Sequence, residues 1–169
     1  MRRYMDNKNE YKIRKQIRMP EYDYNSNGAY FITICTKNRK PLLSKISVGT
    51  TIGRPPDVIL TKYGRITEDA IRNIEIVSPS VHIDNFVIMP NHIHLLLFLY
   101  CDDGRAMLVP TISRIIQQLK GTISKRIGHS VWHPRFYDRV IRSERDYREI
   151  YQYIDNNPAR WAEDKYYMI

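Results

Sequence analysis

Cysteine, long apolar runs and acidic residues are all scarce in this chain, and each shortage excludes some classes of protein. The two cysteines, Cys35 and Cys101, form neither a CxxC motif nor a metal-type spacing. Their apolar neighbours predict reduced core thiols. No apolar run approaches the ~20 residues that a membrane helix needs, and the polar, charged N-terminus does not resemble a signal peptide. We therefore expect a cytoplasmic protein with no membrane partner.

The shortage of acidic residues leaves a net positive charge. There are 18 Asp and Glu against 27 Lys and Arg, which gives +9 over 169 residues. Such an excess favours nucleic acid as a partner, because neutralised phosphates release counterions. A solvated basic surface is the alternative. Residues 1–20 are strongly basic and lack apolar periodicity, which predicts an N-terminal arm before a single domain over residues 21–169.

The apolar pattern predicts an α+β fold. Aromatic and β-branched runs predict strands, and two of these runs flank the turn signal Pro90-Asn91, as in a hairpin. Helical spacing occurs twice, and a capping box at Ser143 begins a last helix. Residues 44–61 contain two glycines and two prolines, which predict an irregular connection.

The order of the predicted elements points to a known arrangement. It is strand 29–36, helix 61–77, strands 82–89 and 92–100, helix 111–127, strand 136–142 and helix 143–157. This order fits a ferredoxin-like antiparallel sheet with helices on one face.

A pair of histidines begins the second strand of the predicted hairpin. His92 and His94 are two residues apart, and strand alternation puts both imidazoles on one face, within reach of a single metal ion. Because the rest of this strand is apolar, packing alone does not explain two histidines at its start. The spacing HxH is a weak signal, so imidazoles at the sheet rim, satisfied by water and carbonyl groups, are the alternative.

The last predicted helix carries a tyrosine away from its apolar stripe. The stripe consists of Tyr147, Ile150, Tyr151 and Ile154. Tyr153 lies ~110° from the centre of that stripe, and Asn157 is on the same side as Tyr153. A partly exposed tyrosine and an asparagine that ends the helix are the alternative interpretation.

The histidine pair and the tyrosine complement each other chemically. A phenol is a poor nucleophile at neutral pH, since its pKa is about 10. A nearby cation would favour the phenolate and neutralise a phosphate under attack. Two imidazoles and one amide oxygen leave positions on a metal ion open for that phosphate. These donors suit Mg²⁺ or Mn²⁺ in a nuclease, although they do not exclude Zn²⁺.

Several separated motifs resemble the REP-associated tyrosine transposases, which are single-strand HUH transposases. Residues 89–95 (MPNHIHL) resemble the HUH motif, and residues 153–158 (YIDNNP) resemble the YxxxNP motif of the last helix. Residues 21–33 (EYDYNSNGAYFIT) and 132–142 (WHPRFYDRVIR) are also typical of the family. The resemblance covers roughly residues 15–167 and is far more specific than HxH alone.

The resemblance implies a fold and a role for each site residue. The family fold is an RRM-like antiparallel sheet with the nucleophile on a separate C-terminal helix. By position, His92 and His94 would bind a divalent metal ion, and Asn157 would be the third ligand. Many relatives in the wider group have glutamine at that third position, which makes Asn157 the least secure assignment. Tyr153 would attack a phosphodiester in single-stranded or hairpin DNA.

The resemblance also implies a reaction. The products would be a covalent 5′-phosphotyrosine and a free 3′-hydroxyl, so the chain would be an endonuclease and strand transferase that needs no ATP. Some relatives are monomers and others are dimers that exchange their tyrosine helices, so both monomer and homodimer are open.

Basic segments predict the surface that contacts DNA. The candidate residues are Arg14, Lys15, Arg18, Lys120, Lys125, Arg126, Arg135, Arg139 and Arg142. Trp132, Phe136 and Tyr137, which lie among them, could stack on unpaired bases. For Trp132 and Phe136 a place in the core is favoured instead.

Two other functions fit the same residues. A non-catalytic RRM-like module could hold nucleic acid without cutting it, although the sheet lacks a clear RNP-type aromatic pattern. A zinc hydrolase could use a metal-bound water, with Tyr153 only structural. Loss of a protein–DNA adduct in Tyr153→Phe would separate these alternatives from a transferase.

Overall fold

The computed structural model describes residues 28–47, 56–100 and 111–167. The strands are β1 (Gly28–Cys35), β2 (Ser44–Ser47), β3 (Asp57–Leu60), β4 (Val81–Ile88), β5 (His92–Leu99) and β6 (Tyr137–Ile141). The helices are α1 (Lys62–Arg72), α2 (Ile74–Val77), α3 (Ile112–Ile127) and α4 (Glu144–Asn156). Short 3-10 turns lie at Lys37–Arg39 and Pro158–Glu163.

Four strands form an antiparallel sheet in the order β4-β5-β1-β6. β1 and β4 both run antiparallel to β5, which lies between them, so β1, α1 and β4 form a split βαβ unit. α3 makes the equivalent connection between β5 and β6. The predicted ferredoxin-like α+β fold is therefore confirmed.

One face of the sheet forms the main core under α1 and α3. Alternate residues of β1 and β5 point to this face, and both helices bury aliphatic side chains against it. Its fully buried members include Tyr30, Ile32, Ile34, Ile71, Ile93, Leu95, Leu97, Ile116 and Ile123. Burial of each such side chain stabilises the fold by about 1.5–3 kcal/mol.

The opposite face of the sheet is covered by α4. Phe31 of β1 and Leu96 of β5 pack against Ile150 and Ile154 of α4. Because side chains alternate along β5, its residues two and four positions before Leu96 point to this same face. The fold therefore brings the last helix over the part of β5 that carries the histidines.

Local capping explains where the helices begin and end. The side chains of Thr61, Thr111 and Ser143 accept hydrogen bonds from backbone N–H groups in the first turns of α1, α3 and α4, which satisfies donors with no intrahelical partner. α3 ends at Gly128, whose φ of 95° is left-handed and favours glycine. The cap at Ser143 was predicted from the sequence, and each predicted helix start lies within one residue of the observed one.

The structure also corrects three details of the prediction. β2 and β3 pair as a two-stranded sheet within the stretch predicted to be irregular. The predicted helix 61–77 is broken at Asn73 into α1 and α2. Tyr151, which was predicted to lie in the apolar stripe of α4, is 36% exposed, so that prediction is wrong.

Some predictions lie outside the described residues. These are the N-terminal arm over residues 1–20, with Arg14, Lys15 and Arg18, and the core position of Cys101. Cys35 is a free, half-buried thiol. No helix within residues 28–47, 56–100 and 111–167 is long and apolar enough to cross a membrane.

Candidate active site

The two histidines lie side by side at the start of β5. His92 pairs with Cys35 and His94 pairs with Thr33 across the β1–β5 ladder. Both imidazoles are fully buried, and their Nε2 atoms are 3.1 Å apart. Two ligands at about 2.1 Å from one ion are about 3 Å apart when they subtend a right angle. The predicted shared face is confirmed, and the separation suits two ligands of one cation.

Each imidazole is oriented by a partner on its other nitrogen. His92 Nδ1 donates to Asn91 Oδ1 at 2.9 Å, and the Asn91 amide nitrogen donates to the Tyr166 carbonyl at 2.7 Å. His94 Nδ1 is 2.8 Å from the Thr33 hydroxyl. Such partners on the outer nitrogen fix the ring and leave Nε2 directed into the site.

Burial keeps both histidines neutral. It lowers the pKa of His92 from its usual 6.5 to about 4, against the opposing charge of Asp164. Burial, reinforced by the neighbouring His92, lowers the pKa of His94 well below 6.5. A neutral imidazole has a free lone pair, which is the form that binds a metal ion.

Tyr153 reaches this pair from α4. Its hydroxyl is 3.4 Å from His94 Nε2, and its ring stands edge-on to Phe31 with centroids 5.9 Å apart. The side chain is 41% exposed, so a substrate can approach it. Burial of the hydroxyl end, together with the nearby Asp164, raises the pKa of Tyr153 to about 12.

Asn157 presents an unpaired oxygen at the end of α4. The residue is buried, and its Oδ1 has no hydrogen-bond partner among the described residues. Its amide nitrogen donates to Asp164 Oδ2 at 3.0 Å, which fixes the orientation of the amide. A buried oxygen without a donor is unfavourable unless something else satisfies it, and a cation would do so.

Asp164 is a site residue that the sequence did not reveal. One oxygen of its carboxylate and one nitrogen of each histidine lie within 4.8 Å of one another. The 3-10 turn Pro158–Glu163 returns the chain to the site, and Asp164 Oδ1 then accepts from the Tyr166 N–H at 2.6 Å. The motif Asn157-Pro158 signals a helix end, but nothing in it predicts the direction of the chain afterwards.

The candidate donors fit a divalent cation. They comprise two neutral imidazole nitrogens, one carboxylate and one buried amide oxygen. Mixed nitrogen and oxygen donors of this kind suit Mn²⁺. Mg²⁺ prefers sites with more oxygen and fewer nitrogen donors. The arrangement can therefore hold a cation beside the hydroxyl of Tyr153.

The basic residues of α3 lie on the other face of the sheet. Lys120 donates to the carbonyls of His133, Pro134 and Arg135 at 3.0–3.3 Å. Arg126 forms an ion pair with Asp69 at 2.9 Å. Lys125 is exposed. Because the sheet separates α3 from Tyr153, these residues cannot contact the same phosphate as Tyr153.

Residues around β6 lie closer to the site. Arg139 forms an ion pair with Asp146 and lines the same cavity as Tyr153, whereas Arg135 and Arg142 are exposed. Among the aromatic residues, Trp132 is buried, Phe136 packs against the core and Tyr137 is 44% exposed. The preference for core positions of Trp132 and Phe136 is confirmed.

Known proteins are similar to this chain in sequence and in fold. No protein-family model matches. An uncharacterized protein of Haemophilus influenzae is 33% identical, with 92% of this chain and 93% of that protein covered. A REP-associated tyrosine transposase of Escherichia coli K12 is 26% identical over 84% of this chain and 74% of its own length. A solved structure of a REP-associated tyrosine transposase bound to a REP hairpin superposes with a TM-score of 0.62 at 26% identity, covering 87% of this chain and 77% of that one.

Proposed function

We propose that the chain is a REP-associated tyrosine transposase, since it is similar to such proteins in sequence and fold, and that it cuts and rejoins single-stranded DNA through a covalent bond to Tyr153. One observation carries this proposal: the Tyr153 hydroxyl lies 3.4 Å from Nε2 of His94, beside a second imidazole. A hydroxyl and a candidate cation site can then act on one phosphorus atom.

The proposed reaction exchanges one phosphate ester for another. The Tyr153 oxygen forms a bond to phosphorus, and the bond between that phosphorus and a 3′ oxygen breaks. The tyrosine loses its proton and the departing 3′ oxygen gains one, which yields a 5′-phosphotyrosine and a free 3′-hydroxyl. Because the ester is conserved, another 3′-hydroxyl can reverse the step and join strands without ATP.

His92 and His94 would hold a divalent metal ion, Mg²⁺ or Mn²⁺, with oxygens from Asn157 and Asp164. Bound there, the ion would neutralise phosphate charge and favour the phenolate of the nucleophile. Before an ion binds, the chain's own residues keep the nucleophile in its unreactive, protonated form. Phe31 packs against the Tyr153 ring, and the raised pKa, about 12, keeps the phenol protonated at neutral pH, so that it is not reactive without a cation.

The proposed substrate is a DNA hairpin or palindrome with unpaired flanks. The solved relative is bound to a REP hairpin, and this chain has the basic charge that a DNA ligand requires. α4 packs on the sheet of its own chain, and the proposed reaction is the same whether the protein is a monomer or a homodimer.

The alternative of a non-catalytic RRM-like module is less well supported. Such modules stack bases on an open sheet face. Here Phe31 and Leu96 of the face that carries the histidines are buried under Ile150 and Ile154. The covered face leaves no open platform over these residues.

A covalent trapping assay tests the proposal. The protein is incubated with Mn²⁺ or Mg²⁺ and an end-labelled hairpin strand, and the products are separated on a denaturing gel. We expect an adduct that disappears in Tyr153→Phe and in EDTA. Tyr151→Phe, two residues away on the same helix and also exposed, is the matched control and should form the adduct normally. Cleavage that persists in Tyr153→Phe would instead indicate a metal-activated water.

A further inference from the structure

A groove leads from the edge of the sheet to Tyr153. It has a volume of about 720 Å³ and lies between β6 and α4, with Tyr137 and Arg139 on one side and Tyr153 and Asn157 on the other. Strand β6 forms the edge of the four-stranded sheet. The groove therefore lies at that edge of the sheet, and Tyr153, Asn157 and Asp164 of the candidate active site line part of it.

The register of the sheet fixes where Tyr137 stands relative to the histidines. Tyr137 pairs with Thr33, and Thr33 pairs with His94. All three side chains point to the same face, and Tyr137 is two strand spacings, roughly 10 Å, from His94. The Tyr137 ring thus lies in the wall of the groove, on the same face of the sheet as the histidine pair.

The groove combines an exposed aromatic ring with the basic side chains of Arg160 and Lys165, of which Lys165 also lies 4.9 Å from the ring centroid of Tyr166. Tyr137 is 44% exposed, and Lys165 Nζ is 5.7 Å from its ring centroid. Within the described residues neither Arg160 nor Lys165 forms an ion pair. Three acidic residues also line the groove: Glu149, which is paired with Arg145, Asp164 of the candidate metal site, and Glu163. Stacking rings flanked by cations are the features that bind single-stranded nucleic acid.

We infer that this groove binds the unpaired nucleotides next to the scissile phosphate, with one base stacked on Tyr137 and backbone phosphates near Arg160 and Lys165. The inference rests on the proposed function for the identity of the strand, and adds the path by which the strand reaches Tyr153. A paired base cannot use this platform, because stacking within a walled groove requires a base with a free face.

Fluorescence of a single strand tests the platform directly. A hairpin with 2-aminopurine at successive positions in its flank is titrated with the full chain in EDTA, which prevents cleavage. At one position we expect quenching on binding that is lost in Tyr137→Ala, with affinity lowered about 5- to 100-fold. Tyr137→Phe keeps the ring and should bind within about twofold of the original protein. Unchanged affinity and quenching in Tyr137→Ala would overturn the inference.

Two controls separate the groove from general effects. Tyr100→Ala removes another exposed tyrosine, at the far end of β5, and should leave affinity and quenching unchanged. Arg160→Gln should reduce the slope of log affinity against log salt by about one. Arg72→Gln, on the other face of the sheet, should not change that slope. Equal slopes in the two variants would mean that Arg160 does not contact a DNA phosphate. Since binding is measured without cleavage, absence of a Tyr153 adduct would refute the proposed function and not this inference.

Discussion

The two ring nitrogens of His94 have different partners, and this makes Thr33 important. Nδ1 faces the Thr33 hydroxyl at 2.8 Å, while Nε2 faces His92 and Tyr153. When Nε2 gives its lone pair to a cation, Nδ1 must carry the proton and donate it to Thr33. A hydroxyl can both donate and accept, so Thr33 can hold the ring in either tautomer.

Replacing Thr33 should therefore weaken metal binding without removing a ligand. We expect Thr33→Val, which keeps the shape of the side chain, to lower Mn²⁺ affinity about 10-fold in calorimetry. Thr33→Ser retains the hydroxyl and should bind almost normally. Circular dichroism must show that both variants are folded. Equal Mn²⁺ affinity for Thr33→Val and the original protein would mean that Thr33 does not orient His94.

Asn157 and Asp164 provide a second test at the residue scale. Asn157 Oδ1 is buried without a partner, and the Asp164 carboxylate lies within 4.8 Å of the histidine nitrogens. We expect Asn157→Ala and Asp164→Ala each to weaken Mn²⁺ binding by about 10-fold or more, because each removes an oxygen donor. Glu163→Ala, which removes the adjacent carboxylate, is the matched control. A variant that binds Mn²⁺ with unchanged affinity would exclude its residue from the site.

At this scale the sequence predicted the residues whose position follows from regular local geometry. His92 and His94 share a face because strands alternate, and Tyr153 lies beside Asn157 because helical neighbours are four residues apart. Asp164 follows an irregular turn, and Thr33 reaches His94 only through the pairing of β1 with β5. Neither relation is encoded in a local repeat, so neither could be derived from spacing.

At the scale of elements, two helical glycines occupy opposite environments. A Cβ at Gly64 in α1 would lie 2.0 Å from the Leu43 carbonyl oxygen, whereas a Cβ at Gly121 in α3 would meet nothing within 4 Å. That Leu43 oxygen also accepts the Thr61 N–H at 2.9 Å, so it cannot move away freely. The start of α1 is thus packed directly against the chain that leads into β2.

These glycines should respond to alanine with opposite signs. Gly64→Ala forces backbone apart and should lower the free energy of unfolding by about 1–3 kcal/mol or more. Gly121→Ala should raise it by about 1 kcal/mol, because alanine loses less entropy in a helix. Urea unfolding followed by circular dichroism measures both. Similar changes in the two variants would contradict the close approach at Gly64.

The elements that the sequence predicted well have strong local signals. α3 combines apolar residues at helical spacing with Thr111 at its start and Gly128 at its end, and each signal acts within a few residues. β2 and β3 were missed because each has four residues and pairs across a long connection. Their stability depends on that pairing and on packing, which the sequence of either segment alone does not express.

At the scale of the whole molecule, the sheet separates a structural side from a chemical side. α1 and α3 close the aliphatic core on one face. The other face carries the buried histidine pair beneath α4 and the turn that follows it. Burying two imidazoles in this way requires that both remain neutral. Conditions that protonate them therefore lower the free energy of unfolding of the entire fold.

Acidification should therefore destabilise the protein through the histidine pair. In the unfolded chain each imidazole binds a proton below its usual pKa of 6.5, but in the folded protein burial lowers the pKa of His92 to about 4 and that of His94 well below 6.5. The unfolded state then binds more protons, so stability is complete above pH 6.5 and falls as the pH drops toward 4. Each imidazole contributes about 1.4 kcal/mol per pH unit over that range.

Urea unfolding in EDTA at pH 7.5, 6.0 and 5.0 measures this slope. His94→Gln removes one of the buried titrating groups and should make the pH dependence shallower, even if it lowers stability at pH 7.5. His82→Gln is the matched control, because His82 lies on β4 with half of its side chain exposed. This variant keeps both buried imidazoles and should still lose stability between pH 7.5 and 5.0. If His94→Gln and the original protein lose stability in parallel between pH 7.5 and 5.0, then His94 is not held neutral by burial, and the lone pair offered to a cation at pH 7 would need another explanation.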